Sequence, residues 1–415
     1  MEKNDIKISK SFYANNLIKI KEPLFIFRNI SKSFFGKELF EDVSMSMSDG
    51  ERIAIVGANG TGKSTILKII IGLEDPDQGS VERNRELKIG YLPQETHWDS
   101  LKNTILQEVR SDDSETQRRI TYLLEDFGFS EKSWKRKISS LSGGEKTKLA
   151  LLKLLTLNPN LLILDEPTNH LDLQTIEWME SFLSGWKRGI ICVSHDRYFL
   201  DKVCDKTFEL SSNGLEKYYC SYSQYLEERA VRLENRELSY NRQEKYLKKQ
   251  QEFIDRFRAK ASTASRAQSR IKQLEKMELV EKPETSKGIK IRLDFEIKVC
   301  SRVMEIKSLL VGAEESPLFI TPERLEVNWG DKIGIVGRNG SGKSTFLKMI
   351  LRCQEDDRKE VKLNDRIKLG YYAQGHEELD PEKNILEEVT SKSTVEEEKI
   401  RNILGGLLFS GKDVF

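Results

Sequence analysis

A glycine-rich loop, GANGTGKST (57–65), returns as GRNGSGKST (337–345), which sets Gly57 on Gly337 and Lys63 on Lys343 at an offset of 280 residues. The register holds beyond the loop, since KIGYLPQ (88–94) faces KLGYYAQ (368–374) and ILQEV (105–109) faces ILEEV (385–389). A repeat of this length means two copies of one folding unit. A chain of 415 residues has room for both, because single cores rarely grow past about 250–300 residues. Each copy is expected to be α/β: the apolar run ERIAIVG (51–57) leads into the first loop, and a helical pattern over 63–73 follows it with Gly72 near the end.

The order strand, loop, helix gives the loop its chemistry. Glycines let backbone N–H groups close around phosphate oxygens, and the helix N-terminus adds positive potential. On this reading Gly57, Asn59, Gly60, Thr61, Gly62, Lys63, Ser64 and Thr65 cradle phosphates, with Lys63 reaching the β and γ positions and Ser64 on Mg²⁺. Gly337, Asn339, Gly340, Ser341, Gly342, Lys343, Ser344 and Thr345 repeat the set, with Ser344 the second metal ligand. Gln94 and its counterpart Gln374 follow a strand in polar loops suited to sensing metal and water.

Only the first copy continues further. LLILDE (161–166) is a buried apolar strand ending in two carboxylates, Asp165 for the Mg²⁺ shell and Glu166 to orient and deprotonate an attacking water. GIICVSHD (189–196) ends a second such strand at His195, placed to hydrogen-bond a γ-phosphate and that water. LSGGEKTKLALLKLL (141–155) joins a polar turn to an amphipathic helix, so Ser142, Gly143 and Gly144 form a second anion-binding surface. At the same offset a second LSGGE would begin at 421, beyond residue 415.

Composition narrows the setting. Acidic and basic residues nearly cancel, 67 against 68, so only local clusters speak for a charged partner. The five cysteines have no CxxC spacing and read as reduced thiols of a cytoplasmic protein. No window reaches the ~20 apolar residues that span a bilayer, and the N-terminus lacks the apolar core of a signal peptide. Residues 1–22 read as a tail, with a strand at 17–20 as the alternative.

Between the copies, 222–277 is polar and charged without proline or glycine. Leu226, Leu233, Tyr240, Leu247 and Ile254 keep a seven-residue spacing, and Ala264, Ala267, Ile271 and Leu274 share a face of a second helical pattern. An antiparallel hairpin is expected, its first arm about 45 Å at ~1.5 Å per residue. Around its tip Arg256, Arg258, Lys260, Arg266, Arg270 and Lys272 run without an acidic residue among them, which suits RNA phosphates.

Phosphate loop, Gln94 loop, LSGGE, LDEP and His195 stand in the order and spacing of the ATP-binding cassette (ABC) superfamily. With tandem cassettes, DEPTNHLD (165–172) and the charged linker RFRAKASTASRAQSRIKQLEKM (256–277), the chain resembles the ABC-F proteins. The resemblance implies two P-loop nucleotide-binding domains, the second incomplete, joined by the helical hairpin. The corresponding spans are 23–220, 286–415 and a linker at 221–285, with the last domain ending before its signature. It implies ATP and Mg²⁺ as ligands, adenine stacked on Phe34 with Phe35 the near alternative, and no aromatic near Ala313 in the second copy.

The family further implies a partner, the ribosome, with the hairpin meeting rRNA and tRNA near the exit site. The implied role is that of a translation factor, with antibiotic protection of the ribosome as the alternative. A transporter ATPase subunit or a nucleotide-binding fragment without turnover are the remaining readings. In the superfamily each ATP closes between one cassette's catalytic residues and the other's signature. The 415-residue form is therefore expected to be impaired as an ATPase unless a second chain completes its sites.

Overall fold

The computed structural model describes residues 22–34, 36–96, 98, 100–169, 171–258, 264–275, 277, 301–313, 316–352, 360–364, 366, 367, 369–373, 379, 380, 382–393, 395–409 and 411–414. The tail reading, Phe35, Lys260 and Gln374 fall outside them. Two compact units emerge, one built mainly from residues up to Val231 and one from Arg232 onward.

In the first unit, β1 (Pro23–Phe34) and β2 (Lys37–Ser48) form an antiparallel pair, and β3 (Arg52–Val56) ends at the first glycine loop. Helix α1 (Lys63–Ile71) starts directly after Gly62, whose φ of 90° is a left-handed value open to glycine; a Cβ there would meet the Phe40 ring at 3.0 Å. Gly72 ends the helix in the same conformation, its N–H returning to Lys68 and Ile69. Strand β4 (Gln78–Arg83) joins β1, giving a three-stranded antiparallel sheet β2-β1-β4.

Strand β5 (Ile89–Leu92) precedes three helices, α2 (Ile105–Val109), α3 (Ser114–Asp126) and α4 (Gly143–Thr156). Then come β6 (Leu161–Asp165), α5 (Leu173–Gly185), β7 (Gly189–Val193), α6 (Arg197–Val203), β8 (Lys206–Ser211) and β9 (Gly214–Tyr218). The six-stranded sheet runs β5-β6-β7-β3-β8-β9, parallel except for the last pair. Strands β6 and β7 are buried throughout, as a parallel sheet covered on both faces requires. Alternation divides them: Leu161, Ile163 and Ile191 pack with α1 and β1, whereas Leu162, Leu164, Ile190 and Cys192 pack with α5 and α6.

Helix α4 serves two cores. Ala150 faces the sheet, while Leu149, Leu151, Leu152 and Leu155 close over α2 and α3. Its first turn approaches α5 so closely that a Cβ on Gly144 would lie 2.5 Å from Thr175 Oγ1.

Helix α7 (Tyr222–Arg258) spans 37 residues, about 55 Å at ~1.5 Å per residue, longer than the sequence suggested. Its base is seated in the first unit. Ser223 N donates to Asp201 Oδ1 at 2.8 Å, Arg229 Nε lies 2.8 and 3.0 Å from the two Glu209 oxygens, and the Tyr225 ring packs edge-on against Tyr218. Along the predicted seam Leu233, Tyr240 and Leu247 are half-buried and Ile254 is buried, but Leu226 is exposed because its neighbour Tyr225 takes the inward position.

In the second unit, α8 (Ala264–Glu275) falls where the second helical pattern was expected, with Ile271 and Leu274 half-buried. Next come β10 (Arg302–Ile306), β11 (Leu310–Ala313), β12 (Ser316–Ile320), β13 (Leu325–Asn328), α9 (Lys343–Arg352), β14 (Val361–Leu363), α10 (Ile385–Ser391) and α11 (Glu397–Gly406). The second loop keeps the first loop's geometry: φ is 79° at Gly340 and 94° at Gly342, against 80° at Gly60 and 90° at Gly62. The run before it, 331–338, is not a strand, and Ile333, Ile335 and Val336 are exposed. In the first unit β3 is a strand because β7 and β8 bond to both its edges. The apolar run at 331–338 joins no such ladder among the described residues.

Gly144→Ala is expected to destabilise the first unit by about 1–3 kcal/mol through overpacking. Combined with Thr175→Ala, the pair should cost less than the sum of the single changes. Urea midpoints check this, and strict additivity would show the close approach to be unimportant.

Candidate active site

Strands β3, β5, β6 and β7 run parallel, so their C-terminal ends share one edge of the sheet, where α/β proteins bind ligands. The glycine loop, Gln94, Asp165 with Glu166, and His195 each follow one of these strands. They meet at a cavity of about 570 Å³. Asn59, Gly60, Gly62, Lys63, Ser64 and Thr65 of the loop line it together with Phe34, Gln94, Asp165, Glu166 and His195. Thr61 closes the loop by donating its hydroxyl to Ala58 O at 2.9 Å, and Gly57 ends the strand.

Lys63 Nζ reaches back across the loop to the carbonyl oxygens of Gly57 and Ala58, each at 2.9 Å. Burial draws its pKa below the usual lysine value against the pull of the Glu166 and Asp165 charges. Burial also pushes Asp165 above the usual carboxylate value, opposed by the Ser64 hydroxyl and by Lys68 and Lys63. Asp165 Oδ1 is buried with no hydrogen-bond partner. An orphaned carboxylate oxygen beside a serine hydroxyl is a fitting donor set for a hard divalent cation, so Mg²⁺ suits these residues.

Glu166 stands in a left-handed conformation, φ 50°, which a non-glycine residue holds only where its surroundings impose it. Its N–H donates to Val193 O at 2.8 Å, tying the turn after β6 to β7. Its carboxylate accepts from His195 N at 3.3 Å and lies 3.4 Å from His195 Nε2. The two strand ends thus present a carboxylate and an imidazole together, open to the cavity, as water activation beside a phosphate requires.

Ser142 and Gly143 do not line this cavity. Gly143 belongs to a neighbouring one of about 480 Å³, shared with Gln94 and Asn169. Ser142 caps α4 through a reciprocal box: its Oγ accepts from Glu145 N at 3.2 Å, and Glu145 Oε2 accepts from Ser142 N at 2.9 Å. With Oγ engaged as acceptor, the hydroxyl proton is available for an outside anion.

Several contributors were not singled out from the sequence. Arg136 grips Glu145 with both guanidinium arms, 2.8 and 3.2 Å, and so braces the Ser142 turn. Asn169 borders both cavities. Tyr91 lies beside Asp165, and burial raises its phenol to about 12. Asn169 stood inside a quoted motif, but nothing in spacing alone could have marked Arg136 or Tyr91.

In the second copy α9 begins at Lys343, and Ser344 and Thr345 are exposed in its first turn, with Gln374 outside the described residues. Of the basic linker residues, Arg256, Arg270 and Lys272 are exposed, and Arg258 and Arg266 lie on α7 and α8.

The ABC transporter family model matches residues 40–169 and 321–413, and a second model with the same description covers 208–293. The ATP-binding protein YdiF of Bacillus subtilis (strain 168) is 36% identical, over 93% of this chain and 67% of that protein. ABC transporter F family member 5 of Arabidopsis thaliana is 33% identical over 87% of this chain and 59% of its own length. The chain thus spans about two thirds or less of these relatives. Among solved structures, the ATP-binding subunit of an ABC transporter aligns at 24% identity and TM-score 0.44, covering 50% of this chain and 94% of that one.

Asp165→Asn is expected to raise the thermal midpoint in the absence of ligand, because the buried carboxylate is penalised when ionised. The ionised form costs stability above the ordinary value of 3.8, and the cost disappears as pH falls below it. The gain should therefore be largest near neutral pH and shrink on acidification. A scan at several pH values checks the sign.

Proposed function

The chain belongs to the ABC-F family of ATP-binding cassette proteins, and from that premise we propose that its first cavity binds Mg²⁺-ATP and hydrolyses it to ADP and phosphate in order to act on the ribosome. The observation that carries this reading is the convergence of Phe34, Lys63, Asp165, Glu166 and His195 on one cavity large enough for a nucleotide. Phe34 stacks the adenine, the loop amides with Lys63 hold the β and γ phosphates, and Ser64, Asp165 and Gln94 hold Mg²⁺. The metal supplies charge neutralisation on the phosphates. Glu166 orients and deprotonates the attacking water, and His195 hydrogen-bonds the γ-phosphate and Glu166.

The second loop, with Lys343 and Ser344, takes a second nucleotide, and Ser142 with Gly143 offers hydrogen bonds to a γ-phosphate from outside its own cavity. A second chain is one source of such a nucleotide.

Helix α7 relates this site to a macromolecular partner. Its base is held by Asp201 on α6, the helix after His195, and by Glu209 on β8, the strand beside β3. A nucleotide-dependent shift at His195 or β3 thus has a direct route into the linker. From the end of α7 onward the sequence carries Arg256, Arg258, Lys260, Arg266, Arg270 and Lys272 without an acidic residue among them, chemistry that suits rRNA and tRNA backbones. No helix among the described residues is long and apolar enough to cross a membrane.

Glu166→Gln should retain ATP and co-sediment with ribosomes more strongly in ATP than in ADP, and equal pelleting in both nucleotides would overturn the ribosomal reading. Arg256→Glu, Arg270→Glu and Lys272→Glu together should weaken that binding and lower its salt slope by roughly one for each phosphate no longer neutralised.

A further inference from the structure

Phe34 ends β1 with its ring 41% exposed at the cavity, and Lys32, two residues earlier, lies on the same face of the strand. Lys32 Nζ sits 5.4 Å from the centre of the Phe34 ring, within cation–π range. The ammonium does not reach out to solvent as a lysine at a strand end ordinarily does. Its side chain is 11% exposed and is held by Glu74 Oε1 at 3.0 Å, Asp77 Oδ1 at 3.1 Å and the Asp75 carbonyl at 2.7 Å.

The same acidic turn grips the intervening residue. Asp77 Oδ2 accepts from both the backbone N–H and the hydroxyl of Ser33, each at 2.8 Å, and Asp77 N donates to Ser31 O at 2.9 Å. The turn following α1, the helix of the phosphate loop, therefore fixes the strand end carrying Phe34, and the half-buried ammonium is placed against its ring. An isolated phenylalanine at 41% exposure would be free to change rotamer; this one has a charged neighbour whose own position is set by three acceptors.

We propose that Lys32 is a positioning residue for the nucleobase: anchored by Glu74, Asp75 and Asp77, it holds the Phe34 ring in the orientation that stacks adenine. The inference deepens the nucleotide reading above and rests on it. It assigns a base-specific part of the affinity to a residue that touches neither base nor phosphate. The phosphates are held by the loop, so a ligand without a base is indifferent to Lys32.

The test is calorimetric titration of the full 415-residue chain carrying Lys343→Met, so that the first site is read, with Mg²⁺-ATP and with Mg²⁺-tripolyphosphate. Lys32→Met should weaken ATP about two- to fivefold, the scale of an exposed to partly buried cation–π interaction, and leave tripolyphosphate unchanged. Lys32→Arg, which keeps the cation, should restore ATP affinity. In a Phe34→Leu background Lys32→Met should cost nothing further, because its effect acts through the ring.

Unchanged ATP affinity in Lys32→Met would overturn the proposal. So would an equal loss of tripolyphosphate, which would make Lys32 a general support of the loop. Failure of the Lys343→Met parent to bind ATP, with tripolyphosphate still bound, would instead overturn the nucleotide reading and this inference with it.

Discussion

The first unit depends on β3 being hydrogen-bonded on both edges. Its neighbours β7 and β8 come from more than 130 residues further along the chain, and only their arrival turns RIAIV into the central strand that aims a glycine loop. The second copy provides the internal comparison. There the loop keeps its left-handed glycines and its helix, so these are local properties of the sequence. The apolar run before it remains outside any strand, since backbone groups of an extended segment are satisfied by neighbours and not by their own residues. Tyr372, in the repeat of the β5 segment, is likewise left almost wholly exposed.

The candidate site is gathered where those strands end. Placing Asp165 and Glu166 at the end of β6 and His195 after β7 brings them to one cavity with the glycine loop after β3. The arrangement costs stability locally. Asp165 is buried with an oxygen unpartnered, and Glu166 is forced to a positive φ by its bond to Val193. Such features persist because the fully buried strands beneath them hold their ends in place.

Helix α7 extends the same dependence to the linker. A long charged helix has little intrinsic claim to a fixed direction, but Tyr225, Ser223 and Arg229 seat its first two turns among β8, β9 and α6. The heptad pattern correctly marked the apolar side of the later helix, from Leu233 to Ile254, and failed at Leu226. At the base the helix packs on a cassette and not on a partner helix, so the inward residue is chosen by the Tyr218 pocket, one position away.

The sequence by itself determined the duplication, the α/β alternation, the long linker helix and which residues meet at the first cavity: Lys63, Ser64, Asp165, Glu166 and His195 were all legible there because motif order encodes which residue follows which strand. Glycine positions likewise carried the loop conformation of both copies, since the absence of a Cβ is a local property. Tertiary structure alone decided which apolar runs become strands, the positive φ of Glu166, the brace of Arg136 on the Ser142 turn, and the seat of Lys32 against Phe34. Each of these depends on partners distant in sequence, and a pattern along one chain holds no record of which distant groups will meet it in space.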